Sequence, residues 1–253
     1  MIKPHQLSAT IALVLAVMFT FTARASAQAL SGSLWYNGDL NGVNGLSNES
    51  NTSLGAGEFG SVYDDFNVTG SGWTITAVYS NDLMSNTTAT GATWEIRSGV
   101  SAGNGGTLVA SGSTMSPVVT STGRSFSGLT EYTVEVTGLN VTLAAGTYWL
   151  NVTPSDSGTG RSFISNTSGF NSVGTPGGND MNAFFNSNFF GANFGSTADQ
   201  GQPSDFSEGV IGTNGSVATP EAGSTLALLG CALGALVAAR RYAIAGKPVH
   251  LTK

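Results

Sequence analysis

Short runs in which apolar and polar residues alternate with a period of two constrain the fold of this chain most. In Trp73-Thr-Ile-Thr-Ala-Val-Tyr79 the apolar set is Trp73, Ile75, Ala77 and Tyr79. In Thr93-Trp-Glu-Ile-Arg97, Trp94 and Ile96 alternate with Thr93, Glu95 and Arg97, and Tyr132, Val134 and Val136 form a third such set. Successive side chains of a strand point to opposite faces, so each run indicates one buried face and one wet face. No stretch between the two chain ends carries a convincing helical period. Turn residues fall where hairpins need them: Ala102-Gly-Asn-Gly-Gly106 after the Trp94 run, and Ala144-Ala-Gly146 between residues 141–143 and Tyr148-Trp-Leu150. Many short strands, about 8–15 residues apart, predict an all-β body over residues 33–213, an antiparallel β-sandwich or jelly roll. Residues 213–218 read as a short flexible linker.

The two ends are of another kind. Lys3 and His5 precede an apolar run from Leu7 to Phe21, and Ala25-Ser26-Ala27 supplies a small-residue cleavage site. Residues 1–27 are therefore expected to be a secretory signal peptide, cut before Gln28. At the other end Thr219-Pro220-Glu221-Ala222-Gly223 leads into an uncharged run from Ser224 to Ala239, closed by Arg240 and Arg241. Those 16 residues span roughly 24 Å as a helix, a marginal length for a hydrocarbon core of about 30 Å. Arg240 and Arg241 keep the tail, residues 242–253, in the cytoplasm, and everything before Pro220 falls on the far side of the membrane.

A Pro-Glu pair, an apolar run and a basic pair in this order resemble the PEP-CTERM sorting signal of Gram-negative bacteria. Leu34-Trp-Tyr-Asn-Gly38, Asp64-Asp-Phe66, Gly72-Trp-Thr-Ile75, the run from Leu143 to Leu150 and the run from Asp205 to Gly212 look like recurring pieces of the β-rich bodies carried by such proteins. The resemblance implies a sorting signal over 214–241, with a transmembrane helix at 224–239 and Pro220, Glu221, Arg240 and Arg241 as its marks. It also implies an exosortase-like membrane transpeptidase as partner, transient residence in the inner membrane, and delivery to the cell surface or extracellular matrix as a structural or adhesive protein associated with extracellular polysaccharide or biofilm. The chain departs from the pattern in Thr219, in Ala222-Gly223 before Ser-Thr, and in the tail from Tyr242 to Lys253. These departures leave a variant sorting class open.

Charge and residue types exclude several function classes. Between Gln28 and Thr219 there are three arginines, no lysine and 14 acidic residues, a formal charge of −11. Nucleic acid and anionic lipid both require clustered cations, so neither is an expected partner. The only histidines, His5 and His250, and the only cysteine, Cys231, lie outside the body. Hydrolytic triads, Cys-His pairs and the usual zinc ligand sets therefore have no members there, and the body is expected not to be an enzyme. A glycosidase carboxylate pair is the remaining catalytic reading. Glu131 and Glu135 share a strand face roughly 13 Å apart, too far for such a pair, and the neighbours Asp64 and Asp65 are expected to point to opposite faces.

Two binding sites suggest themselves. Asp64 shares parity with Val62, Phe66 and Val68, so its carboxylate needs backbone donors or a cation. It either caps a turn, the plainer reading, or joins Asp39 and loop carbonyls around a calcium ion, the one cofactor the sequence suggests. Trp149 falls with Thr147 and Asn151 on the face opposite Tyr148, Leu150 and Val152, which predicts an outward indole for stacking sugars and a carbohydrate-binding module. Residues 181–194 carry five of the 13 phenylalanines, expected to be two strands that help to fill the sandwich.

Overall fold

The computed structural model describes residues 29–85, 89–156, 158–178 and 180–215. The expected signal peptide, the expected transmembrane helix, the cytoplasmic tail and the sorting residues Pro220, Glu221, Arg240 and Arg241 lie outside the described residues. Fifteen strands follow in order: β1 Ser33–Tyr36, β2 Leu40–Ser47, β3 Glu49–Ser50, β4 Phe59–Val68, β5 Trp73–Met84, β6 Gly91–Ser98, β7 Thr107–Thr114 and β8 Val118–Phe126. Then come β9 Leu129–Leu143, β10 Gly146–Ser155, β11 Ser162–Thr167, β12 Phe184–Ser187, β13 Ala192–Ser196, β14 Asp205–Phe206 and β15 Glu208–Asn214. A 3-10 turn, Thr197–Gln200, precedes β14. Among the described residues no helix is long and apolar enough to cross a membrane.

The strands form two curled antiparallel sheets. In the first, β5 is the axis: β9 pairs along one edge, while β15 and then β11 share the other. In the second, the order is β13-β12-β4-β3-β10-β6-β7, and only the short β3–β10 contact, Ser50 beside Ser155, is parallel. The main core draws on both sheets. Trp35, Trp73, Ile75, Val78, Val134, Val136 and Val210 meet Phe66, Trp94, Ile96, Leu150 and Val152.

The alternating runs account for this packing, with two corrections. A bulge leaves Thr76 without a ladder partner: Ala77 pairs with Ile211 and Ile75 with Gly212. An extra residue turns the rest of a strand over. Val78 and Met84 therefore join Trp73 and Ile75 in the core, and Tyr79 lies outside that cluster, stacked on Tyr36 at 5.9 Å between ring centroids. Gly209, beside Tyr79 on β15, leaves the space that the Tyr79 ring fills. The turn at 144–146 does not close a hairpin, because β9 lies in the first sheet and β10 in the second. The turn at 102–106 does, and β6 pairs with β7 across it.

The outer face of the first sheet is not wet throughout. Glu131 is fully buried there, accepting from Arg124 Nε at 2.6 Å, Ser165 Oγ at 2.6 Å and Thr122 Oγ1 at 2.7 Å. The phenylalanine-rich segment forms β12 and β13, paired with each other at the edge of the second sheet. Phe185 enters a small core with Val62, Ile164 and Phe206. Phe184 and Phe194 instead cover the sheet's outer face, where they meet Trp149, Tyr63 and Val100.

Candidate functional site

The outer face of the second sheet carries a cleft of about 350 Å³. Period-two alternation on three strands builds it. β4 contributes Phe59, Ser61 and Tyr63, β6 contributes Thr93, Glu95 and Arg97, and β10 contributes Asn151 and Thr153. Register aligns them, with Asn151 opposite Glu95 and Thr153 opposite Thr93. The Thr93, Glu95 and Arg97 set and the Asn151 face, expected to be solvated, thus meet in one concave surface, with Glu58 and Asn186 at its margin.

Hydrogen bonds fix most of its polar groups. Ser61 Oγ and Thr153 Oγ1 lie 2.9 Å apart, and Asn151 Nδ2 donates to the Val62 carbonyl at 2.7 Å. Glu95 Oε2 accepts from Tyr63 Oη at 2.9 Å and from Arg97 Nε at 2.5 Å. The Arg97 guanidinium also donates to the Gly105 carbonyl and lies over the rings of Tyr63 and Phe194. Burial, reinforced by the Glu95 charge, pushes the Tyr63 phenol far above its ordinary value, so it remains a neutral donor. The arrangement presents hydroxyls, amides, a carboxylate and a guanidinium on a rigid sheet, with the half-buried Phe59 as its accessible aromatic.

Trp149 lies on this same face but is buried, at 8 % exposure. Its parity is as expected; its exposure is not. Phe184 packs edge-on against the indole at 6.4 Å, and Nε1 donates to the Asn182 carbonyl at 3.1 Å. The segment leading into β12 covers the ring, so Trp149 forms part of a wall and offers no platform for stacking.

Asp64 is fully buried, as its parity requires, but its surroundings differ from the expected pair with Asp39. Asp39 accepts from Arg124 at 2.8 Å, Tyr36 Oη at 2.7 Å and Asn171 Nδ2 at 2.8 Å. Asp64 Oδ2 accepts from Asn37 Nδ2 at 2.8 Å and from the Phe206 amide at 2.7 Å, while Oδ1 accepts from the Asp65 amide at 3.0 Å. That last bond turns the side chain back along β4. Asp64 and Asp65, expected to diverge, therefore bring carboxylate oxygens within 4.8 Å of each other and of Asp180. Burial, together with the charge of Asp205, holds the Asp64 carboxyl well above the usual carboxylate range. Burial and Asp180 push Asp65 up to about 7. Asp65 and Asp180 were missed because their meeting depends on a loop path, for which the residues give no local signal.

An apolar run and a basic pair towards the C-terminus, beside an all-β body, suggest a secreted or surface protein that carries a C-terminal sorting signal. Residues 220–241 match the family model for the VPDSG-CTERM motif, a sorting signal of the PEP-CTERM, exosortase-like type, which implies processing by a membrane sorting enzyme. No curated protein and no solved structure matches the chain.

Proposed function

We propose that this is a non-enzymatic protein of the cell surface or extracellular matrix whose β-sandwich body binds extracellular polysaccharide in the cleft over β4, β6 and β10. In this reading an exosortase-like transpeptidase receives the exported chain at the inner membrane, with its C-terminus cytoplasmic, and the apolar run at 224–239 holds it there until processing. The sorting motif supports the route. The cleft supports the ligand: it sets hydroxyl, amide and charged groups beside apolar surface such as Phe59 on a fixed sheet, and a saccharide, with its hydroxyls and its apolar ring faces, matches that mixture. The body's lack of histidine and cysteine supports binding without turnover.

The test is binding of the full-length chain, purified in detergent, to an oligosaccharide array, followed by titration of the glycans retained. Thr93→Ala and Asn186→Ala, which remove polar groups at the cleft, are expected to weaken a retained glycan roughly tenfold each, the loss of one hydrogen bond. Retention unaffected by both substitutions would remove the cleft from the reading. Cleavage of a retained glycan would replace it with a glycosidase, for which Glu58 and Glu95 are the carboxylates that line the cleft.

A further inference from the structure

We propose that Asp64, Asp65 and Asp180 form a calcium site that ties the loop before β12 to strand β4. The three residues bring carboxylate oxygens within 4.8 Å of one another. Two oxygens bound to one calcium ion at roughly 2.3–2.6 Å can lie up to about 5 Å apart, so the spacing of the three groups suits one shared ion after a small inward adjustment of the side chains. Asp64 and Asp65 are buried, and Asp180 is exposed, so one of the three carboxylates faces solvent.

A second observation sets this group apart from an ordinary acidic cluster. Asp65 is only 4 % exposed, and its buried Oδ1 has no hydrogen-bond partner. A buried carboxylate oxygen without a donor is costly, and a cation is the partner that a neighbourhood of further carboxylates admits. The body's arginines are engaged elsewhere: Arg97 with Glu95, Arg124 with Asp39 and Glu131, and Arg161 with Glu49. There is no lysine between Gln28 and Thr219 to take their place.

The surrounding structure positions the ligands. Asn37 Nδ2 and the Phe206 amide orient Asp64 through Oδ2. The Asp205 carboxylate accepts from the amides of Asp180 at 2.6 Å and Met181 at 2.9 Å, which holds the third ligand over β4. The donor set is hard oxygen only, without imidazole or thiolate, as calcium prefers. This site is separate from the saccharide reading, because none of its ligands lines the cleft.

The experiment is calorimetric titration of the full-length chain in detergent, freed of metal with EDTA, with calcium chloride and separately with magnesium chloride. Thermal unfolding is followed in parallel. Calcium is expected to bind one site per chain more tightly than magnesium and to raise the unfolding temperature. Asp180→Asn, at an exposed position that the core does not need, is expected to weaken calcium binding at least tenfold, and Asp65→Asn to do the same. Asp199→Asn, an exposed carboxylate on the 3-10 turn, is expected to leave binding unchanged. Absence of calcium binding at millimolar concentration, magnesium binding as tight as calcium, or full calcium affinity in Asp180→Asn would each overturn the proposal.

Discussion

Arg124 Nε lies 2.6 Å from Glu131 Oε2, beneath the outer face of the first sheet where that carboxylate is wholly out of water. The same guanidinium reaches Asp39 Oδ1 through Nη1 at 2.8 Å, so one cation serves two buried carboxylates. It joins β8 to β9 and to the segment that leads into β2. Burial of the Asp39 and Glu131 charges is tolerable because Arg124 and the hydroxyls of Tyr36, Thr122 and Ser165 meet them. Removing the cation would leave both charges behind. Arg124→Met is expected to lower stability by about 3–5 kcal/mol, read as a reduced urea midpoint at neutral pH. An unchanged midpoint would show that hydroxyl donors alone suffice.

Trp149 separates a packing role from a stacking role. Its indole is enclosed by Phe184, Tyr63, Val100 and Phe194 and anchored through Nε1 to Asn182. Truncation opens a cavity on the outer face of the second sheet. Trp149→Ala is expected to cost about 3–5 kcal/mol in a denaturant titration, and Trp149→Phe distinctly less. A neutral Trp149→Ala would mean that the segment before β12 does not hold the ring closed.

How far the residues speak for themselves depends on how local the cause is. Alternation in Trp94 and Ile96, and in Tyr148, Leu150 and Val152, is local, and it placed those residues correctly against the core. Tyr79 was assigned to the wrong face because a single unpaired residue, Thr76, reverses a strand, and no composition marks a bulge. Trp149 and Glu131 have the parity expected of them. Their burial comes from segments that pack over outer faces, and parity names a face without saying what covers it. The cleft was half legible: Thr93, Glu95, Arg97 and Asn151 were set on polar faces, but their convergence required the register of β6 and β10 with β4. The acidic group lay deeper still, since Asp180 is more than a hundred positions from Asp64.

Gly209 and Gly195 make opposite predictions for one substitution. A Cβ at Gly209 would run into the Tyr79 ring, which is fully buried and tethered by its hydroxyl to Ser33 Oγ at 2.9 Å. The ring has nowhere to go. Gly209→Ala is expected to destabilise by about 1–3 kcal/mol, as overpacked sites do. At Gly195 the same Cβ would meet only Gln200 Nε2, at 3.6 Å, the end of a flexible side chain. Gly195→Ala is expected to be neutral or to stabilise by up to about 1 kcal/mol through the unfolded chain. Parallel thermal melts of the two variants check the contrast, and equal effects would contradict it.

Asp82 gives the fold a pH dependence that differs from that of most acidic proteins. Its carboxyl is buried on β5, where Oδ1 accepts from Asn48 Nδ2 at 3.0 Å and Oδ2 from Ser80 Oγ at 2.5 Å. Burial outweighs these bonds and pushes it up to about 7. In the unfolded chain the same group loses its proton near pH 4, an ordinary aspartate value of about 3.9. Between those values the native chain binds one proton more than the unfolded chain, so its stability declines as pH rises. The group's stabilising contribution is therefore complete below about pH 4 and lost by about pH 7, with a slope of at most about 1.4 kcal/mol per pH unit. The buried carboxyls of Asp64 and Glu208, also raised by burial, act in the same direction. Asp82→Asn is expected to flatten part of the decline between pH 4 and 7 and to gain stability relative to the parent above pH 7, measured by urea denaturation with EDTA present throughout. A slope that Asp82→Asn leaves unchanged would mean that this carboxyl keeps its charge when buried.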